Sequence, residues 1–186
     1  MAKIGLNHFM YSVATVGSDG TITYSGANNP AKAISFNFEP TVSDAKLYAD
    51  DGLAESDSSV TGGTITMGMD RDDITTMATI LGHTVEDGEV VDNINDTAPY
   101  CGVGRIARLM VDGSQKFRAT LLRLCKFTEP SESDNTRGES VEFGTYEVSG
   151  TMVVPQDGNW RYRKTFDTEE DAVEYLQGLL ASTGSN

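Results

Sequence analysis

Residues 98–128 constrain the fold most. "APYCGVGRIARLMV" (98–111) and "SQKFRATLLRLCKFT" (114–128) are long apolar-rich runs broken by single polar or basic residues, and Asp112-Gly113 separates them. Asp-Gly supplies the positive-φ pair that a two-residue type I′ turn requires, and the twist of that turn matches the flanking strands. The segment reads as a β-hairpin. With the turn centred there, cross-strand partners sum to about 225, which places Cys101 roughly opposite Cys125. Gly102 and Gly104 point to a bulge or a close backbone approach in the first strand.

Strand signals recur along the chain. "FMYSVATV" (9–16) alternates and is followed by a turn, "GSDG", and by "TITYSG" (21–26). "KAISFNFEP" (32–40) puts Ile34, Phe36 and Phe38 on one face. "TGGTITMGMD" (61–70) alternates Ile65, Met67 and Met69 against Thr64, Thr66 and Gly68. "HTVEDGEVV" (83–91) is a short hairpin around Asp87-Gly88. "VEFGTYEVSGTMVVP" (141–155) and "WRYRKTF" (160–166) are strands, the latter alternating Trp160, Tyr162 and Lys164 against Arg161, Arg163 and Thr165.

Two segments change period. "DRDDITTMATILGHT" (70–84) carries a helical stripe of Ile74, Met77, Ile80 and Leu81, with Asp70 as the expected N-cap and Gly82 as the residue after the last turn. A second stripe, Ala172, Val173, Leu176, Leu179 and Leu180, follows a capping-box pattern at Thr168/Asp171 or Asp167/Glu170. No βαβ alternation and no internal repeat is present. The expected architecture is one domain over 1–186, mainly β with a flanking α-helix. It is a β-sandwich or partly closed β-barrel, with an extended acidic loop at about 45–60 and a C-terminal helix at about 168–181.

A net charge of −14 disfavours binding to nucleic acid or to anionic membranes, both of which need a basic contact surface. No apolar run is long enough to cross a bilayer, and "MAKIGLNHFM" lacks the apolar core of a secretion signal, so a cytoplasmic site of synthesis is expected. Cys101 and Cys125 are too few for a disulfide framework and form no C-x-x-C; they read as small buried hydrophobes. His8 and His83 have no partner at metal-ligand spacing, and no nucleotide-binding or nucleophile motif occurs. No enzyme activity, metal or cofactor is expected.

"AKLYADDGLAESDSS" (45–59) gathers Asp50, Asp51, Glu55 and Asp57. Its glycine comes third after the first acid, so it does not match a calcium-binding EF-hand loop, which places glycine sixth and glutamate twelfth. A solvated or partner-facing loop is the expectation. The wider charge layout agrees. Residues 33–96 hold fourteen acids against Lys46 and Arg71, whereas residues 97–126 hold Arg105, Arg108, Lys116, Arg118, Arg123 and Lys126 against Asp112 alone. Separate acidic and basic surfaces can pair copies head to tail, or neutralise each other within one chain.

Six segments, in order, carry a resemblance: "MAKIGLNHFMYS", "AKLYADDGLAESDSS", "LGHTVEDG", "APYCGVGRI", "TRGESVEFGTYEVSGTM" and "DGNWRYRKTFD". Together they resemble the major tail proteins, or tail tube proteins, of long-tailed, non-contractile phages of Gram-positive hosts. The resemblance covers nearly the whole chain. It implies a β-sandwich or partly closed barrel with a flanking helix. Its subunits form rings, usually hexamers, that stack into a hollow tube through which the genome leaves the virion. It implies assembly in the host cytoplasm and residence in the virion tail. The implied partners are further copies of the chain, a tape-measure protein, a tail-tip initiator and a tail terminator. DNA passes through the lumen without specific binding, and no cofactor, active site or membrane is involved. In such tubes the loop at the position of residues 45–59 reaches a neighbouring copy. Asp50, Asp51, Glu55 and Asp57 would then meet basic groups among Arg105, Arg108, Lys116 and Arg118. The competing expectation is a β-sandwich ligand-binding module, with Trp160, Tyr162 and Tyr146 stacking on a carbohydrate and the acidic loop holding calcium.

Overall fold

The computed structural model describes residues 2–49, 52–71, 73–132 and 145–181, and at 45–49 and 52–57 it describes the backbone alone. In chain order the elements are β1 (Ala2–Val16), β2 (Ile22–Tyr24), β3 (Ala33–Ala49), β4 (Gly52–Met69), α1 (Ile74–Leu81), β5 (Thr84–Glu86), β6 (Glu89–Val91), β7 (Tyr100–Val111), β8 (Ser114–Phe127), β9 (Tyr146–Val153), β10 (Arg161–Phe166) and α2 (Glu169–Leu180).

The main sheet is antiparallel at every pairing and runs β2-β1-β7-β8-β9-β4-β3; β5 and β6 form a separate hairpin. The sheet forks at β8. One edge of β8 pairs with β7; along the other, Phe117–Leu122 pairs with β10 and Cys125–Phe127 with β9. The fork makes two leaves, β2-β1-β7-β8-β10 and β9-β4-β3. Phe9, Ile65, Met69, Val103, Leu122 and Met152 pack between them, with Met77 and Ile80 of α1. Phe9 of β1 and Phe36 of β3 meet directly, ring centroids 6.0 Å apart. The opposite face of the first leaf is covered by α2, whose Ala172, Leu176 and Leu180 pack on Met10, Ile106 and Leu121. The result is a three-layer, sandwich-like fold: helix, leaf, leaf. Among the described residues the sheet does not close into a barrel.

The Asp112-Gly113 turn forms with φ of 49° and 80°, and Cys101 is the register partner of Cys125; both thiols are free and buried. Gly102 sits at a register shift, and a Cβ there would lie 2.6 Å from the Tyr24 ring and 2.9 Å from Leu180. Both readings of that glycine, bulge and close approach, apply. Gly82 closes α1 in the left-handed region, and Thr168 caps α2 by accepting a hydrogen bond from the Asp171 backbone N–H at 3.2 Å.

Four expectations are corrected. α1 starts at Ile74 with Asp73 as its N-cap; Asp70 instead accepts a hydrogen bond from the Lys32 backbone N–H at 3.0 Å. β1 begins at Ala2, well before residue 9. His8 takes φ 48° and the register shifts between Asn7 and Phe9, so the alternation is interrupted and residues 2–8 show no strand pattern in the sequence. The strand expected over 141–155 is β9, Tyr146–Val153, and ends before Val154; residues 141–144 lie outside the described ones. The expected acidic loop at 45–60 is strand backbone on both sides: the β3–β4 ladder continues from Val42↔Val60 to Ala49↔Gly52. A ladder beyond the edge of the core needs no apolar face, so its acids and serines resemble a loop.

A candidate interaction surface

Strand register assembles the basic residues into one surface. Directly paired residues of an antiparallel sheet share a face, as do alternate residues of one strand. Arg105 pairs with Thr120, and Thr120 with Arg163; Ala107 pairs with Arg118, and Arg118 with Thr165; Arg161 pairs with Leu122, the partner of Val103. Arg105, Arg118, Arg161 and Arg163 therefore stand on the face of the first leaf turned away from α2 and toward the second leaf; Arg163 is exposed there and the other three are partly buried. Neighbouring strands lie about 4.8 Å apart, so Arg105 and Arg163 are separated by about 10 Å across β8.

Aromatic rings line this cationic face. The Arg105 guanidinium lies 4.4 Å from the Phe36 ring centroid; that of Arg161 lies 4.2 Å from Trp160 and 6.0 Å from Phe38. Phe38 and Trp160 stack at 5.6 Å. All three rings are half-buried. Stacking holds each guanidinium against an apolar floor without neutralising it. Among the described residues no carboxylate lies within ion-pair distance of Arg105, Arg161 or Arg163, and Arg105 Nε is buried without a hydrogen-bond acceptor. Burial, and then the charges of Arg161 and Arg118, lower the Arg105 pKa from its ordinary value; burial and then Arg163 lower that of Arg161.

The structure separates the basic residues that sequence proximity had grouped. Arg108 differs in parity from Arg105 and lies on the α2 face, 3.3 Å from Glu169. Lys116 shares the face of Arg118 but pairs with Asp167 at the end of β10. Those two cations are engaged within the chain. Arg161 and Arg163 were absent from the expected set, although their own strand alternation had already put them on a shared face. On the acidic side, Glu55 and Asp57 occupy β4 positions opposite Leu47 and Ala45, and Asp50 and Asp51 lie outside the described residues.

The aromatic residues expected to stack on a sugar do not form one platform. Trp160 and Tyr146 pack with the cluster between the leaves, whereas Tyr162 packs under α2 on the opposite face. His83 is held by carboxylates, Nδ1 lying 2.8 Å from Asp96 and Nε2 2.6 Å from Glu129. Among the described residues no group of His, Cys, Asp and Glu is arranged to hold a metal ion, and no helix is long and apolar enough to cross a membrane. The chain matches no protein-family model and no curated protein sequence.

Proposed function

We propose that this chain is a structural virion protein that self-assembles into stacked, hexameric rings, forming a phage tail tube that conducts the genome. The observation that carries the reading is the β3–β4 hairpin. β9 pairs with β4 only over Gly62–Met69, and from Val42↔Val60 outward β3 and β4 pair with each other alone among the described residues. A lone two-stranded ribbon is marginal in water and gains stability from a third partner. A neighbouring copy can supply one. Among the described residues β2, β3 and β10 each also have one edge without a strand partner, and edge-to-edge joining around a ring removes such edges as aggregation sites.

The ordered segments from "MAKIGLNHFMYS" to "DGNWRYRKTFD" specify which kind of assembly is meant, and a charge of −14 per copy suits a lumen that must release DNA. Tape-measure, initiator and terminator proteins belong to this reading as partners. Negative-stain electron microscopy of the concentrated protein tests it: rings or tubes of constant diameter are expected. In the double variant Asp50→Lys/Asp51→Lys the fold should persist while tubes disappear. Normal tubes from that variant would remove the hairpin from the contact. A chain that stays monomeric and melts at a higher temperature with added calcium would favour the ligand-binding module instead.

A further inference from the structure

The β5–β6 hairpin and the loop after it form an apolar knob with an acidic rim. Ile94 is 99% exposed, Val91 48% and Val85 40%. Around them stand Glu86, Asp87, Glu89 and Asp92, all exposed. Glu86 and Glu89 are direct cross-strand partners, an arrangement of like charges that costs stability in the isolated hairpin. Within the chain His83 alone among the described residues is positioned to pair with this rim, its Nε2 lying 3.6 Å from Asp92.

The arginine face carries the complementary defect. Its cations crowd one another, and the rings against them, Phe36 and Phe38 from β3 of the facing leaf and Trp160 before β10, are only partly buried. We propose that the arginine face of one copy receives the β5–β6 knob of a second copy. Glu86 and Glu89 would sit beside Arg161 and Arg163 at the β10 edge of the patch, with Val91 and Ile94 against the exposed part of Trp160.

Charge fixes the mode of pairing. Face against face would set cations against cations, and knob against knob would set carboxylates against carboxylates, so a two-fold dimer through either patch is disfavoured. The contact must be heterologous, each copy giving its knob to one neighbour and its face to the other. Such contacts propagate into closed rings or open filaments. The inference rests on the self-assembly reading above and specifies one of its contacts.

Two variants of the full chain test it. Arg161→Glu/Arg163→Glu removes the face and keeps the knob; Glu86→Gln/Glu89→Gln removes the rim charges and keeps the face. Circular dichroism checks their folding. Because Arg161 also stacks on Trp160, Arg163→Glu alone serves as the milder face variant at an exposed position. In sedimentation velocity each double variant should self-associate at least about tenfold more weakly than the unmodified chain. An equimolar mixture of the two should form a 1:1 complex and grow no further, because one intact face meets one intact knob. If the unmodified chain assembles and the face variants assemble equally well, the knob–face contact is overturned while the tube reading stands. If the mixture pairs 1:1 but the unmodified chain forms no tubes, the contact stands and the tube reading fails. No association in any sample overturns both.

Discussion

His8 Nε2 lies 2.9 Å from Oε1 of Glu169, a contact that ties the bulge of the first strand to the first turn of the last helix. The same carboxylate accepts from Asn7 Nδ2 at 2.6 Å and from an Arg108 guanidinium nitrogen at 3.3 Å. The Asn7 hydrogen bond, and then those of His8 and the charge of Arg108, hold the Glu169 pKa below its ordinary 4.5. A depressed carboxylate stabilises the fold above its unfolded pKa and loses that contribution as pH falls through the folded value. Glu169→Ala should therefore destabilise the chain by about 1–2 kcal/mol near neutrality, since several hydrogen bonds to a partly exposed charge are lost. The gap from the unmodified chain should narrow as urea titrations are repeated toward about pH 3.5. A gap that widens toward acid would contradict this account of the site.

Gly102 determines how closely α2 can lie on β7. An added methyl would overlap the Tyr24 ring and the Leu180 side chain, whereas at Gly104 the nearest Leu176 atoms would be 3.4 Å away. Tyr24 is anchored by its hydroxyl, which donates to the Arg123 carbonyl at 3.0 Å, so it cannot move aside without losing that bond. Gly102→Ala should cost about 1–3 kcal/mol in urea unfolding, and Gly104→Ala clearly less. Equal effects would mean that the helix can shift to accommodate either change.

Features set by local chemistry were legible in the sequence. The Asp112-Gly113 turn, the Gly82 terminus of α1 and the Thr168 cap each depend on a few adjacent residues, and each forms as expected. The C-terminal stripe was legible because a 3.6-residue period survives in one continuous segment. Features that depend on distant segments were not. Arg105 and Arg163 share a surface only because β8 forks and takes β10 as a second neighbour, and nothing local to either arginine announces that pairing. The reach of β3 and β4 was hidden for a different reason. Their outer rungs lie beyond the core, where no burial imposes an apolar alternation, and acids and serines there satisfy backbone pairing as well as valines do. Arg105 and Arg108 both lie on β7. The two differ by an odd number of residues on one strand and so face opposite ways.

The opposed cysteines lead to a prediction about reactivity. Cys101 and Cys125 are both fully shielded from solvent, and burial pushes the Cys101 thiol up to about 12 and that of Cys125 upward as well. Thiolate is the reactive form, so neither sulfur should react in the native chain. A chromogenic disulfide reagent should report no accessible thiol under native conditions and two after denaturation. Rapid release from the native chain would mean that the β7–β8 ladder opens at this end far more readily than its buried setting suggests.

The remaining prediction concerns His83, whose side chain is 9% exposed and lies among three carboxylates. Nδ1 faces Asp96 at 2.8 Å; Nε2 faces Glu129 at 2.6 Å and Asp92 at 3.6 Å. With carboxylates at both nitrogens, the doubly protonated ring donates in both directions, and the neutral ring must give up one of those bonds. The hydrogen bond to Asp96, and then that to Glu129, outweigh burial and raise the His83 pKa above 6.5; the same hydrogen bond lowers the pKa of Asp96. A raised folded pKa gives stability that is fully present below the unfolded value of 6.5 and is lost as pH rises through the folded value. His83→Gln keeps one donor and cannot protonate. The melting temperature of the unmodified chain should therefore exceed that of His83→Gln most below 6.5, and the difference should shrink as pH rises above it. Since His83 joins the C-terminus of α1 to the 92–96 loop and to Glu129 beyond β8, the same pH rise should increase amide exchange in residues 84–96 first. A constant difference across this range would show that His83 contributes through packing and not through its charge.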